Sequence, residues 1–145
     1  MRTQHPGATL YELLITLALI GVLTTLSAPQ LQNTMQILAV RAARESAFGM
    51  FTRGRALALE QGGAILEISA RDDRVTIRSP SGSIQDELWL GEQRVDLLPD
   101  GGPDPVQLRY DAYGLGRMMS RTITLASGAA RAGLTVSSFG RVRRW

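Results

Sequence analysis

Residues 7–12 read G-A-T-L-Y-E, and residues 13–28 follow at once as L-L-I-T-L-A-L-I-G-V-L-T-T-L-S-A. One carboxylate, Glu12, therefore stands at the mouth of an apolar helix, and no further charge occurs from Leu13 to Val40. An acidic residue at the centre of a membrane helix costs about 2.5–3.5 kcal/mol unless it finds a partner, so Glu12 is read as functional. The apolar stretch approaches the roughly 20 residues needed to cross a bilayer core. Arg2 is the only arginine before it and the bulk of the chain comes after it, which places the first residues in the cytoplasm and the rest outside.

Two plainer readings compete. A secretory signal peptide would use Leu13 to Leu23 as its apolar region and be cut near Ser27 or Ala28; against this, Glu12 interrupts the basic-to-apolar junction and Pro29 sits just past the cut. A simple anchor would leave Glu12 without a role.

Gly7, a small residue after it, Glu12 five positions on and an apolar helix together resemble the class III signal of type IV pilins and pseudopilins. Gly21 and Pro29 fall where that family often has a glycine and a helix-bending proline. Ala8 stands where the family commonly has Phe, and Tyr11 where Ile or Val is usual. The resemblance implies that a prepilin peptidase cuts after Gly7 and that Ala8 carries the new, usually methylated, amine. A buried carboxylate is tolerable only when paired and hydrogen-bonded. The amine of Ala8 on an adjacent subunit is the obvious cation for Glu12. Ala18, Gly21 and the Thr24-Thr25 pair supply the small and hydroxyl-bearing surface on which helices pack in lipid.

Beyond Pro29, Ile37, Val40, Ala43, Ala47, Met50, Phe51, Gly54, Leu57 and Ala58 recur at steps of three and four, as one face of a helix does. The pattern predicts a helix to Gln61, stopped by Gly62-Gly63, with Arg41, Arg44 and Arg55 as a solvated flank. Short alternating runs then predict strands at 64–69, 74–79, 87–90, 94–98, 107–110, 121–126 and 134–138, divided by Gly- and Pro-rich turns. The fold class expected is α+β, a long helix packed on an antiparallel sheet. Its parts are a leader (1–7), a transmembrane half-helix (8–29), an amphipathic half-helix (30–62) and an extracytoplasmic β-rich domain (63–145).

The 145 residues contain no cysteine, all 16 basic residues are arginine, and His5 is the only histidine. Cut after Gly7, the chain would lack His, Cys and Lys, the usual general base, metal ligands and amine nucleophile. Neither an enzyme nor a cofactor is expected. Asp72-Asp73 reads as a hairpin turn rather than a catalytic pair. Asp100-Gly-Gly-Pro-Asp104 reads as a polar loop, since it lacks the ligand run of a dedicated calcium site.

L-R-Y-D-A-Y-G-L-G (108–116), R-T-I-T-L (121–125) and R-A-G-L-T-V-S-S-F-G-R-V-R-R-W (131–145) resemble the GspH/FimT group of minor pilins and pseudopilins, as does F-T-R-G-R-A-L-A-L-E-Q-G-G-A-I-L (51–66). The resemblance implies a minor subunit near the tip of a type II secretion pseudopilus or a type IV pilus. Its partners would be other pilin or pseudopilin subunits, with the inner membrane as its anchor before incorporation.

No acidic residue follows Asp111, whereas Arg117, Arg121, Arg131, Arg141, Arg143 and Arg144 do. In the FimT branch a C-terminal G-R-x-R motif is associated with DNA binding, and Gly140-Arg141-Val142-Arg143 matches it. Strand alternation predicts Phe139, Arg141, Arg143 and Trp145 on one face and Val142 on the other, with Gly140 able to introduce a bulge. Arginine forks suit phosphates and an aromatic ring suits an exposed base, so Arg141, Arg143, Arg144 and Trp145 form a candidate DNA site. The same arginines could instead face lipid headgroups or pair with Asp86 and Asp96.

Overall fold

The computed structural model describes residues 9–116 and 120–145; within it the side chains of 25–29 are outside the described set. The order is one helix, α1 (Leu10–Gln61), then strands β1 (Gly63–Ser69), β2 (Arg74–Arg78), β3 (Ile84–Trp89), β4 (Asp96–Pro99), β5 (Val106–Asp111), β6 (Arg121–Ser127), β7 (Ala130–Val136) and β8 (Val142–Arg144). A single 3-10 turn at Gly91–Gln93 lies between β3 and β4. The chain divides into two compact units, one ending at Thr34 and the other running from Met35 to Trp145.

In the first unit the helix is apolar and exposed: Leu10 is 79% accessible, Val22 58% and Leu23 64%. The hydroxyls of Thr16 and Thr24 bond back to the backbone. Thr16 Oγ1 donates to Leu13 O at 2.8 Å, and Thr24 Oγ1 donates to Ile20 O. This back-bonding consumes the hydroxyl of Thr24 on its own helix, so it offers its methyl rather than a free O–H to a neighbour. Among the described residues no helix is long and apolar enough to cross a membrane. The uncharged run of the sequence continues through 25–29, whose side chains lie outside that set.

The second unit is built on the stripe. Val40, Ala43, Ala47, Met50, Phe51 and Ala58 are buried, with Ile37 and Leu57 packed beside them. Alanine and glycine on this stripe bring the helix close to the sheet, since a Cβ at Gly54 would meet Leu66 Cδ1 at 2.3 Å. Gly62, at φ 79°, ends the helix, a backbone state that glycine adopts without a Cβ penalty.

Two four-stranded antiparallel sheets follow, ordered β3-β2-β1-β5 and β4-β6-β7-β8, where the sequence pattern suggested one. The chain leaves the first sheet after β3, places β4 at the edge of the second, and returns to pair β5 with β1 (Leu66 opposite Leu108) before completing the second sheet. Inward residues Leu66, Ile68, Val75, Ile77, Leu108, Ile123, Leu125 and Leu134 join the helix stripe in one core.

Boundaries differ from expectation where side chains are small or where a residue leaves the extended state. Arg94, expected in a strand, has φ 56° and closes the 3-10 turn through its N–H to Gly91 O at 2.9 Å; the strand begins at Asp96. β7 starts at Ala130 instead of Leu134, because Ala130, Ala132 and Gly133 carry no visible alternation.

The loops take up the acidic residues structurally. Asp73 Oδ1 accepts Leu97 N–H at 2.7 Å, and Asp72 meets Ser69 Oγ at 3.0 Å. Both oxygens of Asp104 accept backbone N–H groups, from Ala70 at 2.9 Å and Arg71 at 3.1 Å. The 100–104 loop thereby staples the β1–β2 turn, and among the described residues no cluster of His, Cys, Asp or Glu is arranged to hold a metal.

Candidate functional site

Gly7 and Ala8 lie outside the described residues. Glu12 lies in the first turn of α1, and its N–H donates to Thr9 Oγ1 at 3.3 Å. Thr9-Leu10-Tyr11-Glu12 thus has the spacing of a capping box, in which the threonine hydroxyl satisfies an otherwise orphan helix donor. A carboxylate in the first turn also complements the helix dipole, typically by about 0.3–1 kcal/mol. The signal for this cap is local, the T-x-x-E spacing of Thr9-Leu10-Tyr11-Glu12. The Glu12 side chain is exposed. Gly21 sits mid-helix with nothing within 4 Å of where its Cβ would stand. The bend expected at Pro29 concerns a side chain outside the described set; the helix assignment itself is unbroken there.

At the other end of the chain, Ser137 to Arg141 form a turn. Gly140 N–H donates to Ser137 O at 2.9 Å and Ser137 N–H to Arg141 O at 2.8 Å. Gly140 has φ 76°, and a Cβ there would lie 2.8 Å from Tyr110 Cε1. So the glycine of the G-R-x-R motif makes a tight turn against Tyr110 in place of a strand bulge, and Phe139 and Arg141 belong to the turn. The Tyr110 ring is buried, which raises its hydroxyl to about 12.

β8 then pairs with β7, Val142 opposite Val136, Arg143 opposite Thr135 and Arg144 opposite Leu134. Alternation holds within it. Val142 packs on the core, and Arg144, two residues on, reaches α1: its Nη1 lies 2.5 Å from Glu45 Oε2 and its guanidinium 4.6 Å from the centre of the Phe48 ring. Arg44 holds the same carboxylate from the other side at 2.8 Å. Hydrogen bonds from Arg44 first, then Arg144, pull the Glu45 pKa below its ordinary value. Arg44 Nη1 also donates to Trp145 O at 3.1 Å, which makes it a latch rather than a purely solvated residue.

Trp145 is likewise committed. Its backbone exchanges hydrogen bonds with Gly133, and its Nε1–H donates to Thr135 Oγ1 at 3.3 Å. Its ring occupies the space over Gly133, where a Cβ would come within 2.3 Å. Phe48, Thr135, Val142, Arg143, Arg144 and Trp145 line a shallow groove of about 600 Å³. Of the four tail residues singled out in the sequence, Arg144 and Trp145 are tied into the fold. Arg141 and Arg143 are exposed, with no ion pair among the described residues. Asp86, one suggested partner for the tail, pairs with Arg53 of α1 at 2.7 Å instead. The acidic residue that the tail does use, Glu45, is on the helix.

No protein-family model matches the chain, and no curated protein matches it. Among solved structures the chain is similar to the minor pseudopilin EpsH from the type 2 secretion system of Vibrio cholerae. The TM-score is 0.59 at 16% identity, over 73% of this chain and 95% of that one. At that identity the likeness concerns the fold. The fold is α+β and pilin-like, a long N-terminal helix packed on antiparallel sheets.

Proposed function

We propose that the chain is a non-enzymatic minor pilin or pseudopilin of the GspH/FimT type. In this reading a prepilin peptidase removes residues 1–7, residues 8–29 anchor the product in the inner membrane, and the amphipathic half-helix and β-rich domain lie in the periplasm. The subunit then joins or initiates a pilus or pseudopilus beside other pilin subunits. The observation that carries the reading is a helix apolar on all sides and exposed from Leu10 to Leu23, with Glu12 at its start, attached to a pilin-like domain. A helix that is hydrophobic all round is a buried or membrane element.

The test is assembly. Glu12→Gln keeps a polar side chain in the first turn but removes the charge; it should be processed and inserted yet enter filaments poorly, because Ala8 of the neighbour loses its counter-charge. Normal incorporation of Glu12→Gln at native expression would reject the pairing.

A second reading, DNA capture at a pilus tip, is favoured by the exposed Arg141 and Arg143 on a tail without carboxylates. With two arginines available, the log-log salt slope for duplex DNA should be about −2, from roughly 0.9 per phosphate neutralised. Arg141→Gln with Arg143→Gln should abolish it. No shift in a low-salt titration of the wild type would remove this reading.

A further inference from the structure

β8 forms one edge of the second sheet. In an antiparallel pair, residues whose backbone groups face the partner strand alternate with residues whose groups face away. Gly133 and Trp145 exchange N–H to O bonds of 3.0 and 3.1 Å, and Ser137 N–H donates to Arg141 O at 2.8 Å. With Thr135 opposite Arg143, the backbones of Arg141, Arg143 and Trp145 therefore face β7. The N–H and C=O groups of Val142 and Arg144 point away from the sheet, without a partner among the described residues.

The groove of about 600 Å³ runs along this open edge. Val142 and Arg144 turn toward α1, and Arg143 and Trp145 lie on the opposite face with Thr135. The groove touches all four, with Phe48 of α1 as an apolar wall, and a cavity that meets both faces of an edge strand lies beside that edge. No carboxylate lines it. Arg143 and the neighbouring Arg141 are exposed, on a tail without acidic residues.

We propose that this edge receives an extended acidic segment of a partner protein as a further strand of the sheet. A strand offers acceptors to the outward N–H groups and donors to the outward C=O groups, whereas a phosphate, in nucleic acid or lipid, offers acceptors alone. In strand addition the backbone pairing gives affinity and alternate side chains give specificity. Alternation fixes the pattern of the occupant. Its carboxylates lie on the face of Arg143, and its apolar side chains lie on the face of Phe48, where Glu45 already neutralises Arg144. Charged side chains on a short edge strand discourage pairing with a like strand, so the arginines select against a second copy's β8 and in favour of an acidic strand. The proposal uses the second unit alone and stands or falls separately from the membrane anchor.

The experiment titrates the full chain, in neutral detergent, into a fluorescent peptide of alternating Glu and Val. Binding is read by anisotropy, and hydrogen exchange is followed at the Val142 and Arg144 amides. The peptide should bind and slow exchange at both amides. N-methylation of the alternate peptide amides that face β8 should weaken binding by about ten-fold or more, since one hydrogen bond is worth roughly five-fold; methylation of the other set should change little. Arg141→Gln with Arg143→Gln should weaken binding by up to about five-fold per charge, and Arg71→Gln with Arg109→Gln should leave it unchanged. Four results would overturn the proposal: no binding, equal binding of a peptide with its Glu residues in one block, equal effects of the two methylated sets, or unchanged exchange at Val142 and Arg144. A DNA duplex that binds where the peptide does not would also overturn it and assign the arginines to nucleic acid.

Discussion

The two halves of α1 put similar side chains to opposite uses. From Leu10 to Leu23 the leucines, isoleucines and valine stand exposed, whereas from Val40 to Ala58 the stripe residues Val40, Ala43, Ala47, Met50, Phe51 and Ala58 are buried under the sheets. The contrast lies in patterning: the second half confines its apolar residues to one stripe, and the first half spreads them around the cylinder. A stripe can be satisfied within one chain. An all-round apolar surface demands lipid or neighbouring subunits, so stability should be stored in the second half and assembly in the first.

The largest expected effect follows from that division. Phe51→Ala, at a residue 1% exposed, should destabilise the domain by about 3–5 kcal/mol. Leu17→Ala, in the exposed half, should leave the domain's melting transition unchanged. Equal losses in a thermal melt followed by circular dichroism would erase the distinction. Next in size, Gly54→Ala drives a methyl into Leu66 and should cost about 1–3 kcal/mol, as overpacking does. A neutral result would mean that helix and sheet are not in close contact there.

A smaller effect tests the latch between the stripe half and the tail. The pKa of Glu45 is lowered in the folded chain, so its ion pairs contribute fully above its ordinary value of 4.5 and are lost as pH falls through the lower folded value. Wild type and Glu45→Gln should therefore differ by a constant, small melting shift near neutrality, with the gap closing below that value. A gap that widens on acidification would contradict the pairing with Arg44 and Arg144.

What could be read from the sequence divides in the same physical way. The stripe from Ile37 to Ala58, the stop at Gly62 and the Asp72-Asp73 turn depend on neighbours three or four positions apart, and each was visible in the chain. The cap that the Thr9 hydroxyl gives the Glu12 N–H is equally local. By contrast, β8 is three residues long with Val142 as its only apolar residue, and exists by pairing with β7. The Arg144–Glu45 contact spans 99 positions, so no local pattern encodes it. Division into two sheets depends on β4 and β5 pairing with different partners, which alternation alone leaves undetermined. The G-R-x-R motif was legible as a string, yet its glycine serves a turn against Tyr110, and the neighbouring Arg144 and Trp145 serve the latch.

The most direct test of the account is the mass of the mature amino terminus in the membrane fraction of cells that make a prepilin peptidase. A chain beginning at Ala8, with or without a methyl group, keeps Glu12 beside a new amine and the apolar half-helix intact, as the account requires. A chain beginning near Ala28 or Pro29 would have lost both to a signal peptidase, and the subunit reading would fall.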